Sequence, residues 1–210
     1  MSWVAGDRPE RDKMLGGDLY YPYEADLTAA RARARRLVRL FNATDETELP
    51  KRAELLRSLC GAVGKNCYIE PPFRCDYGEY IRLGDNVFMN FDCVILDCAE
   101  VTIGDNVLMA PGVHIYAATH PVDVGTRTSL LECAKPVRIG ANSWIGGRAV
   151  ICPGVTIGSD VVIGAGSVVT RDIPDGTIAV GNPCRVIRTL TAEERRVRPP
   201  VVWPAAGTPE

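Results

Sequence analysis

Two histidines are all that this 210-residue chain contains, so it cannot supply a metal centre built on three imidazoles. Zinc-ligand patterning is missing as well. The eight cysteines, at 60, 67, 75, 93, 98, 133, 152 and 184, include no CxxC pair and no nearby Cys and His set. They read as free thiols of a reducing compartment, where cysteine serves as a small hydrophobe. A formal net charge of −2 gives no whole-chain electrostatic case for nucleic acid or an anionic membrane. No run is apolar for long enough to span a bilayer, and MSWVAGDRPERDK at the start lacks an apolar signal core. The expected location is cytoplasmic, with no metal site.

What the chain does have is a six-residue beat. From residue 139 it reads IGANSW, IGGRAV, ICPGVT, IGSDVV, IGAGSV, and earlier LGDNVF, MNFDCV, ILDCAE and IGDNVL, MAPGVH, IYAATH. Each unit has one large aliphatic residue to bury, and only stacked copies of the unit can bury it. Three units close one triangular coil. The fold class expected is therefore mainly β, a left-handed parallel β-helix. Gly84, Gly104, Gly140, Gly158 and Gly164 are expected to relieve unusual backbone angles at corners, and Asn86, Asn106 and Asn142 to tolerate the left-handed conformation.

The first sixty residues differ in kind. Leu27, Ala30, Ala34, Leu37 and Phe41 fall at helical spacing, as do Leu55, Leu56 and Leu59 after Pro50. The spacing predicts a helical pair packed on the solenoid's end or flank. Arg31, Arg33, Arg35, Arg36 and Arg39 read as a solvated helix face. The organisation expected is a helical segment over 1–62, a β-helix over 63–190 and a mobile tail over 191–210, in which Trp203 reads as part of a frayed end. Between Tyr116 and Arg138 the beat fails, which predicts an ejected loop on a regular scaffold, a common place for function. His114 and His120 lie six residues apart, in equivalent places on successive faces, and His120 stands at the root of that loop.

The segments EPPFRCDYG (70–78), IGDNV (103–107), THPV (119–122), KPVRIGANSWIGGRAVICPGVTIG (135–158), VIGAGSVVTRDIP (162–174) and GNPCRVIR (181–188) closely resemble the hexapeptide-repeat sugar O-acetyltransferases. That group contains the maltose, galactoside and nodulation-factor acetyltransferases, and the resemblance runs from about residue 8 to 190. It implies an acetyl-CoA-dependent enzyme with no tightly bound cofactor. His120 would act as general base on a sugar hydroxyl that attacks the thioester directly. Asp76, Asn90, Asp97 and Glu132 would face the acceptor, although Asp76, Asn90 and Asp97 are also residue types that cap corners, and both readings stand. Asn90, Trp144, Gly147, Ala165, Thr170, Arg171, Arg185 and Arg188 would face acetyl-CoA, the arginines meeting its phosphates. A backbone amide at Gly147 would help hold the oxyanion, where several relatives carry serine.

The same resemblance implies a homotrimer with sites between subunits, and no nucleic-acid or membrane partner. One departure stands out. Where the family places an aspartate after a Leu plus aromatic pair, LYYPYEADL puts Tyr21 and Pro22, so an aromatic wall is expected, with Glu24 or Asp26 as a substitute carboxylate. Three rival readings differ in class. A γ-type carbonic anhydrase would need a third histidine, a scaffold module would need neither the loop-root histidine nor the C-terminal arginines, and another hexapeptide acyltransferase would take a drug, amino acid or nucleotide sugar.

Overall fold

The computed structural model describes residues 8–196. They form a left-handed parallel β-helix of about 6 turns preceded by three helices. One sheet stacks Ala62–Val63, Ile81–Leu83, Val101–Ile103, Val137–Ile139 and Thr156–Ile157, all parallel. A second runs from Tyr68–Ile69 through Phe88–Met89, Leu108–Met109, Trp144–Ile145 and Val162–Ile163 to Thr177–Val180. There an antiparallel strand, Arg185–Thr189, closes its edge. The third stacks Phe73–Cys75, Cys93–Leu96, His114–Tyr116, Val150–Ile151 and Val168–Val169.

The periodic aliphatic residues form the core. Ile69, Met89, Met109, Ile145 and Ile163 make one buried column, and Leu83, Ile103, Ile139 and Ile157 another. Full burial of one such side chain stabilises by roughly 1.5–3 kcal/mol. The beat is not uniform, however. Leu83, Met89 and Ile95 are six residues apart, but Ile95 and Ile103 are eight apart, as are Cys75 and Leu83. The first coils thus carry two extra residues at one corner, which the coils after Ile139 lack.

At the corners that follow Gly64-Lys65, Gly84-Asp85, Gly104-Asp105, Gly140-Ala141 and Gly158-Ser159, Asn66, Asn86, Asn106, Asn142 and Asp160 take φ of 54, 58, 58, 60 and 56°. Their side chains hydrogen-bond one to the next, Nδ2 to Oδ1, at 3.2, 2.9, 2.9 and 3.0 Å. Asp160 closes the ladder by accepting from Arg195 at 2.9 and 3.1 Å. The glycines two residues earlier have a different role from the one expected. Gly104 has no positive φ, and a Cβ there would come within 2.7 Å of the Ala141 amide nitrogen. Close stacking of successive coils, and not backbone angle, requires glycine at this position.

Helix α2 (Ala25–Asn42) buries Leu27, Ala34 and Phe41, and α3 (Leu49–Leu59), with Pro50 in its first turn, buries Leu56 and Leu59. The predicted pair is present. A third helix, α1 (Glu10–Gly16), precedes them and ends at Gly17 in the left-handed conformation (φ 79°). The helices cover the open edge of the first coil. Asn42 at the end of α2 donates to Phe73 O and accepts from Phe73 N–H, both at 2.9 Å, so it stands in for a missing strand. The ejected loop has structure of its own: Ala118–Thr119 pairs antiparallel with Cys133–Ala134, and α4 (Val124–Thr128) lies between them, capped by Asp123. The expected tail lies mostly outside the described residues, Trp203 included. Among the described residues no helix is long and apolar enough to cross a membrane.

Candidate active site

The widened corner is built around a buried carboxylate. Asp97 is fully buried and accepts from the amides of Asp76 at 3.1 Å, Tyr77 at 2.9 Å and Tyr80 at 3.4 Å. Burial outweighs these donors and pushes its carboxyl up to about 7. Asp97 therefore holds the 76–80 turn in shape, and the expectation that it faces the acceptor directly gives way to a positioning role. The side chain it presents is Asp76. That carboxylate is half-buried, and burial raises its pKa, while a thiol contact from Cys98 Sγ at 3.5 Å and the charges of Arg31 and Arg35 pull it down.

Three further residues, Tyr20, Cys98 and Tyr77, converge here without having been singled out from the sequence as site residues. Tyr20 is fully buried, lies within hydrogen-bonding reach of Cys98, and donates its hydroxyl to Glu132 Oε2 at 2.8 Å. The Tyr20 and Glu132 backbones also exchange two hydrogen bonds, at 3.0 and 3.1 Å. Glu132 thus bolts the returning strand of the loop onto the N-terminal segment, and its carboxylate is committed to Tyr20. The third, Tyr77, is buried and accepts from Arg31 Nη1 at 2.7 Å. In the segment where an aromatic wall is expected, Tyr21 meets Tyr23 edge-on at 5.7 Å, and Tyr23 is 60% exposed. Neither substitute carboxylate is free, because Glu24 caps α2 through the Asp26 amide and Asp26 pairs with Arg11 at 2.6 Å.

His120 follows the short Ala118–Thr119 strand, exposed, with no hydrogen bond among the described residues. Its equivalence with His114 fails because the chain leaves the coil after Ala117. His114 stays in the third sheet, with Nδ1 2.6 Å from the Tyr116 hydroxyl. Asn90 is half-buried; its Oδ1 takes the Phe91 amide at 2.7 Å, which leaves its NH2 free.

On the other side, Trp144 stands 51% exposed on the second sheet, in the column of Leu108 and Val162. The Gly147 N–H has no partner among the described residues, while its carbonyl accepts from Gly166 at 2.8 Å. Ala165, Thr170 and Arg171 are exposed, and beyond the Cα of Gly166 lies open space. Arg185 turns back to the Cys184 carbonyl at 2.7 Å. Arg188 is not free as expected: it forks onto Glu194 with two bonds of 2.8 Å. Among the described residues no three His, Cys, Asp or Glu are grouped to hold a metal. A cavity of about 760 Å³ between α3 and the first coil, lined by Phe41, Arg52, Leu56 and Tyr68, contains none of these site residues.

The comparisons fall on the same two regions. Residues 13–64 match the maltose acetyltransferase hexapeptide capping motif, and residues 136–171 match the bacterial transferase hexapeptide (six repeats). The chain belongs to the hexapeptide-repeat acetyltransferases, within the group of sugar O-acetyltransferases that includes the maltose and galactoside enzymes. It is 41% identical over 187 residues to the galactoside O-acetyltransferase of Escherichia coli K12, covering 89% of this chain and 92% of that one. The crystal structure of a maltose O-acetyltransferase from Clostridium difficile 630 is 52% identical, with a TM-score of 0.87 over 89% of this chain and 100% of its own. A galactoside acetyltransferase in complex with coenzyme A superposes equally well, at TM-score 0.87, with 40% identity over 91% of this chain and 96% of its own.

Proposed function

We propose that this acetyltransferase moves the acetyl group of acetyl-CoA to a hydroxyl of a sugar or glycoside, with His120 as general base. The uncommitted imidazole of His120 at the root of the loop carries this reading: in a chain with one other histidine, already bonded to Tyr116, it alone is free to take a proton. The neutral imidazole removes the proton from the acceptor hydroxyl as its oxygen attacks the thioester carbonyl. The tetrahedral intermediate then expels the thiolate of coenzyme A, which recovers the proton from the imidazolium. General-base assistance of this kind is worth roughly 10²- to 10⁴-fold. The free N–H of Gly147 suits the developing oxyanion.

On the donor side, the open space at Gly166 beside Ala165 and Thr170 suits a close-lying pantetheine arm, with Trp144 along it. Arg171, Arg185 and Arg188 suit the phosphates, Arg188 by leaving Glu194. On the acceptor side, Asp76 and the free NH2 of Asn90 suit paired hydrogen bonds to sugar hydroxyls, while Glu132 acts by docking the loop. The reading includes a homotrimer with shared sites, supported by the outward apolar column of Tyr68, Phe88, Leu108 and Trp144 and by a general base without a hydrogen-bond partner among the described residues. Thioester consumption with neutral and charged sugars, amino alcohols and amines tests the chemistry. Acetylation of an amine or non-sugar alcohol with no turnover of any sugar would overturn it. Sedimentation tests the assembly, and an active monomer would refute shared sites.

A further inference from the structure

Helix α2 carries five arginines, Arg31, Arg33, Arg35, Arg36 and Arg39, and none forms an ion pair among the described residues. The carboxylates around them are committed elsewhere. Asp26 and Glu79 hold Arg11, Glu10 holds Lys13, Glu24 caps α2, and Glu132 accepts from Tyr20. An unbalanced row on an exposed helix is commonly a solvated face, but two members differ from the rest. Arg31 and Arg35, one helical turn apart on the same side, are the arginines whose charges act on Asp76.

Arg31 is also held in place. Its Nη1 donates to the Tyr77 hydroxyl at 2.7 Å, and its guanidinium lies 5.7 Å from the Tyr77 ring and 6.0 Å from the Tyr23 ring. It does not close to an ion pair with Asp76, as a mere counter-ion to that carboxylate would. A half-buried guanidinium fixed between two rings, with most of its N–H groups unspent, has already lost much of its rotamer freedom. It is ready for a planar or tetrahedral oxyanion.

We propose that the acceptor is anionic: a sugar or glycoside bearing a carboxylate or phosphate group, with hydroxyls read by Asp76 and the anionic group read by Arg31 together with Arg35. The inference rests on the sugar-acetylation reading given above. The exposed Tyr23 ring then serves as a wall for the sugar's apolar face, and Arg31 decides which sugars stay.

The test measures kcat/KM of the full-length protein at saturating acetyl-CoA with glucose, glucuronate and glucose 6-phosphate at low and high salt. Expected is at least a tenfold preference for one or both anions over glucose, shrinking as salt rises. Preference for glucuronate identifies a carboxylate, and preference for the phosphate ester a phosphate. Arg31→Gln should lower kcat/KM for the preferred anion about ten- to hundredfold, as expected for a lost charge-assisted contact, and lower that for glucose clearly less, while the KM for acetyl-CoA holds. Arg35→Gln, at an exposed position, should act in the same direction but less, which keeps the test open if the Arg31 variant folds poorly. Equal use of glucose and both anions overturns the proposal, as does an equal loss for all acceptors in both variants. Failure of every sugar, with turnover of a non-sugar, would instead remove the reading beneath it.

Discussion

Asn106 offers the sharpest test of how the coil corners are held. It sits at φ 58°, accepts from Asn86 Nδ2 at 2.9 Å and donates to Asn142 Oδ1 at 2.9 Å. Asn106→Ala loses both ladder bonds, each worth about 0.5–1.5 kcal/mol net, and puts a Cβ-bearing residue without a local polar partner into the left-handed region, at about 1–2 kcal/mol. The sum is about 2–5 kcal/mol. Asn106→Gly loses the same two bonds but takes the positive φ without strain, against about 0.4–1 kcal/mol of extra unfolded-state entropy, so it should be the less destabilised of the two. Asn66→Ala loses only the single bond of the ladder's first rung, at 3.2 Å, and should fall below Asn106→Ala. Denaturant midpoints at one fixed protein concentration read the order, which matters because an oligomer's apparent stability depends on concentration. If the Gly and Ala variants at 106 were equal, or if Asn106→Ala cost less than about 1 kcal/mol, neither the backbone angle nor the ladder would be what holds this corner.

His120→Ala should cut acetyl transfer about 10²- to 10⁴-fold with KM for acetyl-CoA and thermal stability unchanged, since its ring makes no hydrogen bond among the described residues; His114→Ala should leave turnover far less affected. Releasing Arg188 through Glu194→Gln should lower the KM for acetyl-CoA, and Arg188→Ala should raise it with kcat held; steady-state kinetics in acetyl-CoA would refute the competition if both variants moved the KM in the same direction. Because burial raises Asp97 to about 7, above its unfolded value near 3.9, the folded state binds the extra proton between those limits and loses stability as pH rises through them. Asp97→Asn lacks that term, so its Tm relative to wild type should improve between pH 5 and pH 8, and a pH-independent difference would count against the raised pKa.

Legibility followed the physics of each part. The aliphatic beat is a direct record of side-chain burial, so the β-helix, its inward columns and its asparagine corners could be read from residues alone. The glycines were found for the wrong reason, because a close approach between coils leaves the same residue in the sequence as a positive φ. On the donor side, Gly147, Ala165 and Thr170 lie where a regular repeat puts them, and only the fork of Arg188 onto Glu194 was hidden, being a contact between exposed side chains of no fixed spacing. On the proposed acceptor side, nothing in the sequence marks Tyr20 or Tyr77, and Cys98 and Arg31 read only as a free thiol and a solvated charge, because the four meet across large sequence separations. The arginine row of α2 has the pattern of any solvated helix face. Only the Tyr77 hydroxyl at 2.7 Å and the flanking rings of Tyr77 and Tyr23 set Arg31 apart.

The sequence also carries the widened corner: the beat slips by two residues at Cys75–Leu83 and again at Ile95–Ile103. Two added residues lengthen the turn at 76–80, and Asp97 from the next coil holds that turn from beneath through three amides. The slip, the buried carboxylate and Asp76 are thus one device, and it stops after the loop, where the coils from Ile139 onward return to a strict six. The loop leaves the barrel where widening ends, carries His120 at its root, and is pinned back to the N-terminal segment by Tyr20 and Glu132. On the proposed function, the two-residue insertions divide the solenoid into an acceptor side and a donor side, and the arginine-bearing helix lies over the widened half.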